Sequence, residues 1–189
     1  MSSGFTYTNR KGQTYHLCAV PGKSGKTRLV FAREPRGQPV SEMPDGYEVA
    51  ESVNGQVSVR KAVPPRIAEA EVDRVRETLD RHQRLAAYRV DAVKDAVVVY
   101  EPQGAVDPQR FRSLGVDPEV IASLERSCRY SPVFRFVLIE PASRRFAAER
   151  MCYRGRMEGW LSLHTAGPIG TLADGCLKHL GKDSFFELY

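Results

Sequence analysis

Between Tyr7 and Lys61 the chain is a succession of short runs rich in Thr, Tyr, Val and Phe, each cut by turn chemistry. No other segment constrains the fold as much. Residues 14–20 (TYHLCAV) and 27–33 (TRLVFAR) have the β-branched and aromatic content of strands. Pro21-Gly22-Lys23-Ser24-Gly25-Lys26 between them supplies a bend. Residues 47–53 and 56–61 flank Asn54-Gly55, a pair suited to the positive φ values of a two-residue type I′ turn. The reading is a small antiparallel sheet of about four strands over residues 1–62.

Val63-Pro64-Pro65 closes that module, because proline cannot continue a ladder and is well placed at a helix start. A second domain is expected over 63–189. Ala68, Val72, Val75, Leu79, His82 and Ala86 recur at helical spacing and predict a helix near 65–87, with Glu77–Arg81 and Asp80–Arg84 as pairs four residues apart. Residues 88–93 and 96–101 read as strands around Lys94-Asp95. Asp107-Pro108 and Asp117-Pro118 each read as an N-cap followed by a first-turn proline, the second opening a helix near 118–127. Residues 133–139 (VFRFVLI) are apolar enough for a central strand, with 146–153 pairing back on it. Ile169, Leu172, Ala173, Cys176, Leu177 and Leu180 form a helical stripe near 168–180, closed by Gly181. Strands, helix, strands, helices, strands, helix is an α+β order with a mostly antiparallel sheet.

The net charge is +5, and most of it is local. Residues 1–62 carry nine Lys and Arg (Arg10, Lys11, Lys23, Lys26, Arg28, Arg33, Arg36, Arg60, Lys61) against five acids (Glu34, Glu42, Asp45, Glu48, Glu51). A positive field on a β-ribbon favours polyanions such as nucleic acid. Arg10, Lys11, Lys23, Lys26 and Arg28 at the expected turns are the candidate phosphate contacts. Tyr7, Tyr15 and Phe31 suit either base stacking or the module's own core.

Other chemistries find weaker footing. Val20-Pro21-Gly22-Lys23-Ser24-Gly25-Lys26-Thr27 approaches a phosphate-binding loop, but Val20 stands where the first glycine belongs. The next segment reads as a strand, where such a loop needs a helix N-terminus. His16 with Cys18, and Cys176 with His179, are possible zinc pairs without the close Cys-x-x-Cys spacing that makes the signal specific. Cys128 and Cys152 can be matched on paper with His164 or His82 as nucleophile and base, with no local signature. Glu101 and Glu140 each end an apolar run and would serve a metal-assisted hydrolase if they converged. Arg135 within 133–139 needs a partner, and Glu149 on the next strand is the expected one.

Four scattered cysteines suit reduced thiols. The opening Met1-Ser2-Ser3-Gly4-Phe5 lacks a basic stretch followed by an apolar one. A cytoplasmic setting is expected, with no cofactor, no metal and no membrane.

Tyr7-Thr8-Asn9-Arg10-Lys11-Gly12-Gln13-Thr14-Tyr15-His16-Leu17, then Gly25-Lys26, Pro44-Asp45-Gly46-Tyr47-Glu48 and Asn54-Gly55-Gln56-Val57, resembles the opening of a group of uncharacterised bacterial proteins. The resemblance implies a bacterial setting and a repeated N-terminal β-module, and transfers no chemistry. The expectation is a non-enzymatic binding protein whose basic β-module meets nucleic acid or another polyanion. The alternatives are a protein–protein adaptor docking through the α+β part or through the apolar ending Phe185-Phe186-Glu187-Leu188-Tyr189, and the Glu101/Glu140 hydrolase.

Overall fold

The computed structural model describes residues 4–22, 25–104, 108–154 and 157–188. It divides the chain into two compact units: residues up to Pro64 together with Ala122–Ser127, and Pro65–Ile121 with Cys128–Tyr189.

In the first unit, β1 (Thr6–Thr8), β2 (Thr14–Pro21), β3 (Thr27–Ala32) and β4 (Gln38–Pro39) make one antiparallel sheet. β2 is its centre: β3 lines one edge, and β1 and β4 share the other. β5 (Tyr47–Glu51) and β6 (Val57–Lys61) pair separately. The strands therefore form two sheets, not the single sheet of about four that the sequence predicts. The added strands are three and two residues long, too short to show a period of two.

Three hairpin loops of this unit share one hydrogen-bond pattern. Asn9 N–H donates to the Gln13 carbonyl at 2.9 Å, and Gly12 N–H to the Asn9 carbonyl at 2.8 Å. Gly22 with Lys26 and Gly25, and Ser52 with Gln56 and Gly55, repeat it. In each the glycine adopts φ of +75°. This is the three-residue loop that ends in a left-handed glycine. Asn54 does not take the positive φ that a type I′ turn requires, so the turn is not the expected type: the longer loop leaves only Gly55 in the region where a Cβ is costly.

The second unit is α+β. α1 (Glu69–Asp80) leads into β7 (Arg89–Val93) and β8 (Ala96–Gln103), then α2 (Pro108–Ser113) and α3 (Pro118–Ser127). The chain division falls within α3. β9 (Arg129–Glu140), β10 (Arg145–Arg154), β11 (Met157–Pro168) and α4 (Ile169–Cys176) follow. The sheet runs β11-β10-β9-β8-β7, antiparallel throughout, with β9 central as its apolar run predicts. Phe134 and Phe136 of β9, Phe146 of β10, Val75 of α1 and Ala173 of α4 are fully buried in one core. Asp117 caps α3 by accepting from Glu119 N–H at 2.7 Å. Asp107 lies outside the described residues.

Three details depart from the sequence reading. α1 is shorter than 65–87 and gives way to a 3₁₀ turn at Gln83–Leu85. The arginines of the two expected i,i+4 pairs, Arg81 and Arg84, lie beyond its last residue and take distant partners, whereas Arg76 within it pairs locally with Asp73. Arg74 and Arg81 donate to Asp174 at 2.6 and 3.1 Å, and Arg84 donates to the carbonyls of Lys178 and Leu180. Finally, β11 forms where the sequence predicts no element. No helix of the described residues is long and apolar enough to cross a membrane.

Candidate functional site

The bend between β2 and β3 carries two of the candidate cations. Thr27 begins a strand, its register running from Pro21↔Thr27 to His16↔Ala32. No helix N-terminus follows the glycines, so the phosphate-loop geometry is not formed. Lys26 and Arg28 are both exposed beside the bend. Arg28 lies opposite Val20. Lys23 lies outside the described residues.

Arg10 and Lys11 sit in the β1–β2 loop, at the other end of β2. The eight residues of β2 span about 25 Å at ~3.3 Å each, so the two cation pairs do not form one cluster. Their surroundings also differ. Arg10 N–H donates to Glu51 Oε1 at 3.0 Å, and its Nε lies 3.8 Å from the same oxygen. Glu51 also accepts from the Tyr7 hydroxyl at 2.8 Å, which holds that phenol above its ordinary range. Asn9, 3% exposed, ties the loop down: Nδ2 donates to the Gly55 carbonyl at 2.6 Å, while Oδ1 accepts from Lys11 N–H and Gln13 N–H. Tyr7 and Phe5 pack near Phe31, with ring centroids 6.4 and 6.2 Å apart. All three rings are half-buried.

Glu101 and Glu140 do not converge. Glu101 pairs with Ser131 near the start of β9, and Glu140 ends that strand. Nine further residues of strand put them about 30 Å apart. The shared-metal hydrolase reading falls on that distance. Among the described residues no three of His, Cys, Asp and Glu gather as a metal site. Cys18 is buried, and its thiol donates to the His16 carbonyl. Burial pushes the Cys176 thiol up, the reverse of what a thiolate ligand needs. His179 Nδ1 lies 3.0 Å from Ser184 Oγ.

The expected Arg135–Glu149 pair forms, with Nε to Oε2 at 2.6 Å. The guanidinium also lies 4.3 Å from the centroid of Trp160 on β11, a cation–π contact that the sequence did not disclose.

The second unit holds a cavity of about 350 Å³ at the end of its sheet. Glu101, Val133, Arg150 and Cys152 face it from the strands, Tyr88 from just before β7, and Leu180, Asp183 and Phe185 from the C-terminal segment. Tyr88 donates to Glu101 Oε1 at 2.7 Å. Burial, that bond and the carboxylate charge together push the phenol well up, so it stays a neutral donor. Arg150, 8% exposed, donates to the carbonyls of Leu188 and Phe186 at 3.2 and 3.3 Å. The C-terminal segment is thereby folded back, with Phe185 buried and 6.3 Å from Phe134. Only Phe186 of that pair remains exposed.

No family model, no curated protein and no solved structure matches this chain.

Proposed function

We propose that this chain is a binding protein whose N-terminal β-module contacts an extended polyanion, nucleic acid above all. The observation that carries the reading is the β2–β3 bend, where Lys26 and Arg28 are exposed at the end of a two-stranded ribbon. Cations so placed reach phosphates without desolvating a paired acid. Arg10 and Lys11, about 25 Å away along β2, lie too far off to share one phosphate. Each strand of a duplex carries one phosphate per ~3.4 Å of helix axis, so a site of about seven base pairs spans that length. An extended polymer fits this spacing and a free nucleotide does not.

The test is binding of the full chain to a labelled duplex across a salt series. Wild type should weaken steeply with salt. Lys26→Glu with Arg28→Glu should lower the slope of log K against log salt by about 2, at ~0.9 per contact. Arg10→Glu should do less, since Glu51 already holds that side chain. Absence of binding at low salt, or a slope unchanged by the double reversal, refutes the proposal.

A further inference from the structure

We propose that the cavity at the sheet end of the second unit binds a small organic carboxylate, its anionic group on Arg150 and its apolar body against Val133, Leu180 and Phe185. This stands independently of the polyanion reading, because every residue it uses lies in the second unit.

The volume sets the size. At about 350 Å³ the cavity is within the range of small-molecule sites. It holds roughly a dozen non-hydrogen atoms at ~30 Å³ each, the share of one liquid water. The walls set the body of the ligand, since Val133, Leu180 and Phe185 are all buried apolar side chains.

Arg150 sets the charge. β10 turns Phe146, Ala148 and Arg150 toward the core, and the first two are fully buried. A guanidinium in that row needs compensation. Its bonds to Leu188 and Phe186 are to neutral carbonyls, and among the described residues no carboxylate lies within 4.0 Å of it. The planar fork of an arginine matches a carboxylate better than any other partner.

Two acids and two cations line the cavity: Glu101, which accepts from the Tyr88 hydroxyl at 2.7 Å, and Asp183, against Arg150 and Lys182. Arg150 lies opposite Phe134, Phe134 opposite Val99, and Glu101 is two residues beyond Val99. Two strand spacings separate the two backbones by about 10 Å.

Cys152 supplies a reporter. It lines the cavity and is partly exposed, whereas Cys18, Cys128 and Cys176 are buried. The probe is phenylacetate, with phenylacetamide as its uncharged counterpart. Calorimetric titration of the full chain measures affinity, and mass spectrometry follows iodoacetamide modification at Cys152. Phenylacetate should slow that modification at least about tenfold at saturation, and the amide should bind at least about tenfold more weakly. Arg150→Lys should weaken phenylacetate by a similar factor. Because Arg150 also anchors the C-terminal segment, Cys152→Phe is the second variant. It fills the cavity, leaves Arg150 in place and should abolish calorimetric binding with the circular dichroism spectrum unchanged. Equal affinity for acid and amide overturns the proposal, as does no binding of phenylacetate at millimolar concentration. Binding that appears only after deletion of Tyr189 overturns it too, because the site would then belong to the chain's own terminus.

Discussion

Asn9→Ala isolates the bracket that holds the first unit's hairpins together. Asn9 makes three side-chain hydrogen bonds: to the Gly55 carbonyl at 2.6 Å, from Lys11 N–H at 3.0 Å and from Gln13 N–H at 2.9 Å. The bond to Gly55 is buried, so removing Nδ2 strands an acceptor, at about 1–3 kcal/mol. The two N–H groups are only partly buried and recover some of their loss from water. The sum is a loss of about 2–3 kcal/mol. Cys18, fully buried in the same unit, reports it. If labelling requires the unit to open, the rate at Cys18 should rise roughly 30- to 150-fold, at tenfold per 1.4 kcal/mol. Cys176 in the other unit is the internal control and should not follow. A Cys18 rate within about threefold of wild type, or a parallel rise at Cys176, refutes the reasoning. Asn9→Asp sharpens it. The acceptor for Lys11 and Gln13 survives, but an oxygen replaces the donor to Gly55, so the loss should persist at neutral pH and ease once the carboxyl protonates below about pH 4.

Two further predictions use the same logic elsewhere. Gly12 and Gly55 both hold φ of +75°, but a Cβ on Gly12 meets nothing within 4 Å, while one on Gly55 meets Asn9 Nδ2 at 3.1 Å and Lys11 Cγ at 3.2 Å. Gly12→Ala should cost about 1 kcal/mol from the backbone alone, and Gly55→Ala should cost clearly more, read as at least fivefold faster Cys18 labelling; equal rates would show that the two loops do not press together. The raised Tyr88 phenol gives a pH signature. The unfolded chain loses that proton near pH 10 and the folded unit keeps it, so stability present below pH 10 falls as pH climbs beyond. The slope is up to about 1.4 kcal/mol per pH unit, reduced by screening because the ring is only partly enclosed. Denaturant titrations at pH 9 and 11, followed by Trp160 fluorescence, should show a shallower decline for Tyr88→Phe. Identical declines would remove Tyr88 from the account.

Legibility followed the range of the interaction. β2, β3, β5, β6, β9 and β10 were readable because their apolar and β-branched runs are local, and Pro64-Pro65 marked the change from sheet to helix. β11 was not, because Gly159, His164 and Gly167 interrupt its pattern and its pairing to β10 shifts register between Ala147 and Glu149. The Arg135–Glu149 pair was legible as a charge in an apolar strand seeking the next strand over. The same signal was present at Arg150, in the inward row of Phe146 and Ala148, and was missed. Its partners are backbone carbonyls of the C-terminal segment, which no side-chain chemistry advertises. The cavity was equally invisible, since its walls come from Tyr88, β8, β9, β10 and the C-terminal segment, and only the sheet order brings them together.

The distribution of positive charge follows from topology. Arg10 and Lys11 stand about a dozen residues before Lys23 in a linear reading, close enough to be taken as one patch. But β1, β2 and β3 form a meander, and a meander must place successive loops at opposite ends of the shared strand. No side-chain rotamer can close the length of β2. Charges encoded in neighbouring hairpin loops are therefore kept apart by the ladder that makes those loops. Gathering all four cations on one small anion would need both pairs at the same end of β2. The chain instead puts cations in consecutive loops, and it gives those at one end an acid, Glu51, within reach. This arrangement suits contacts spread along a polymer and works against a single phosphate pocket, which is why the salt slope, more than affinity for any nucleotide, discriminates.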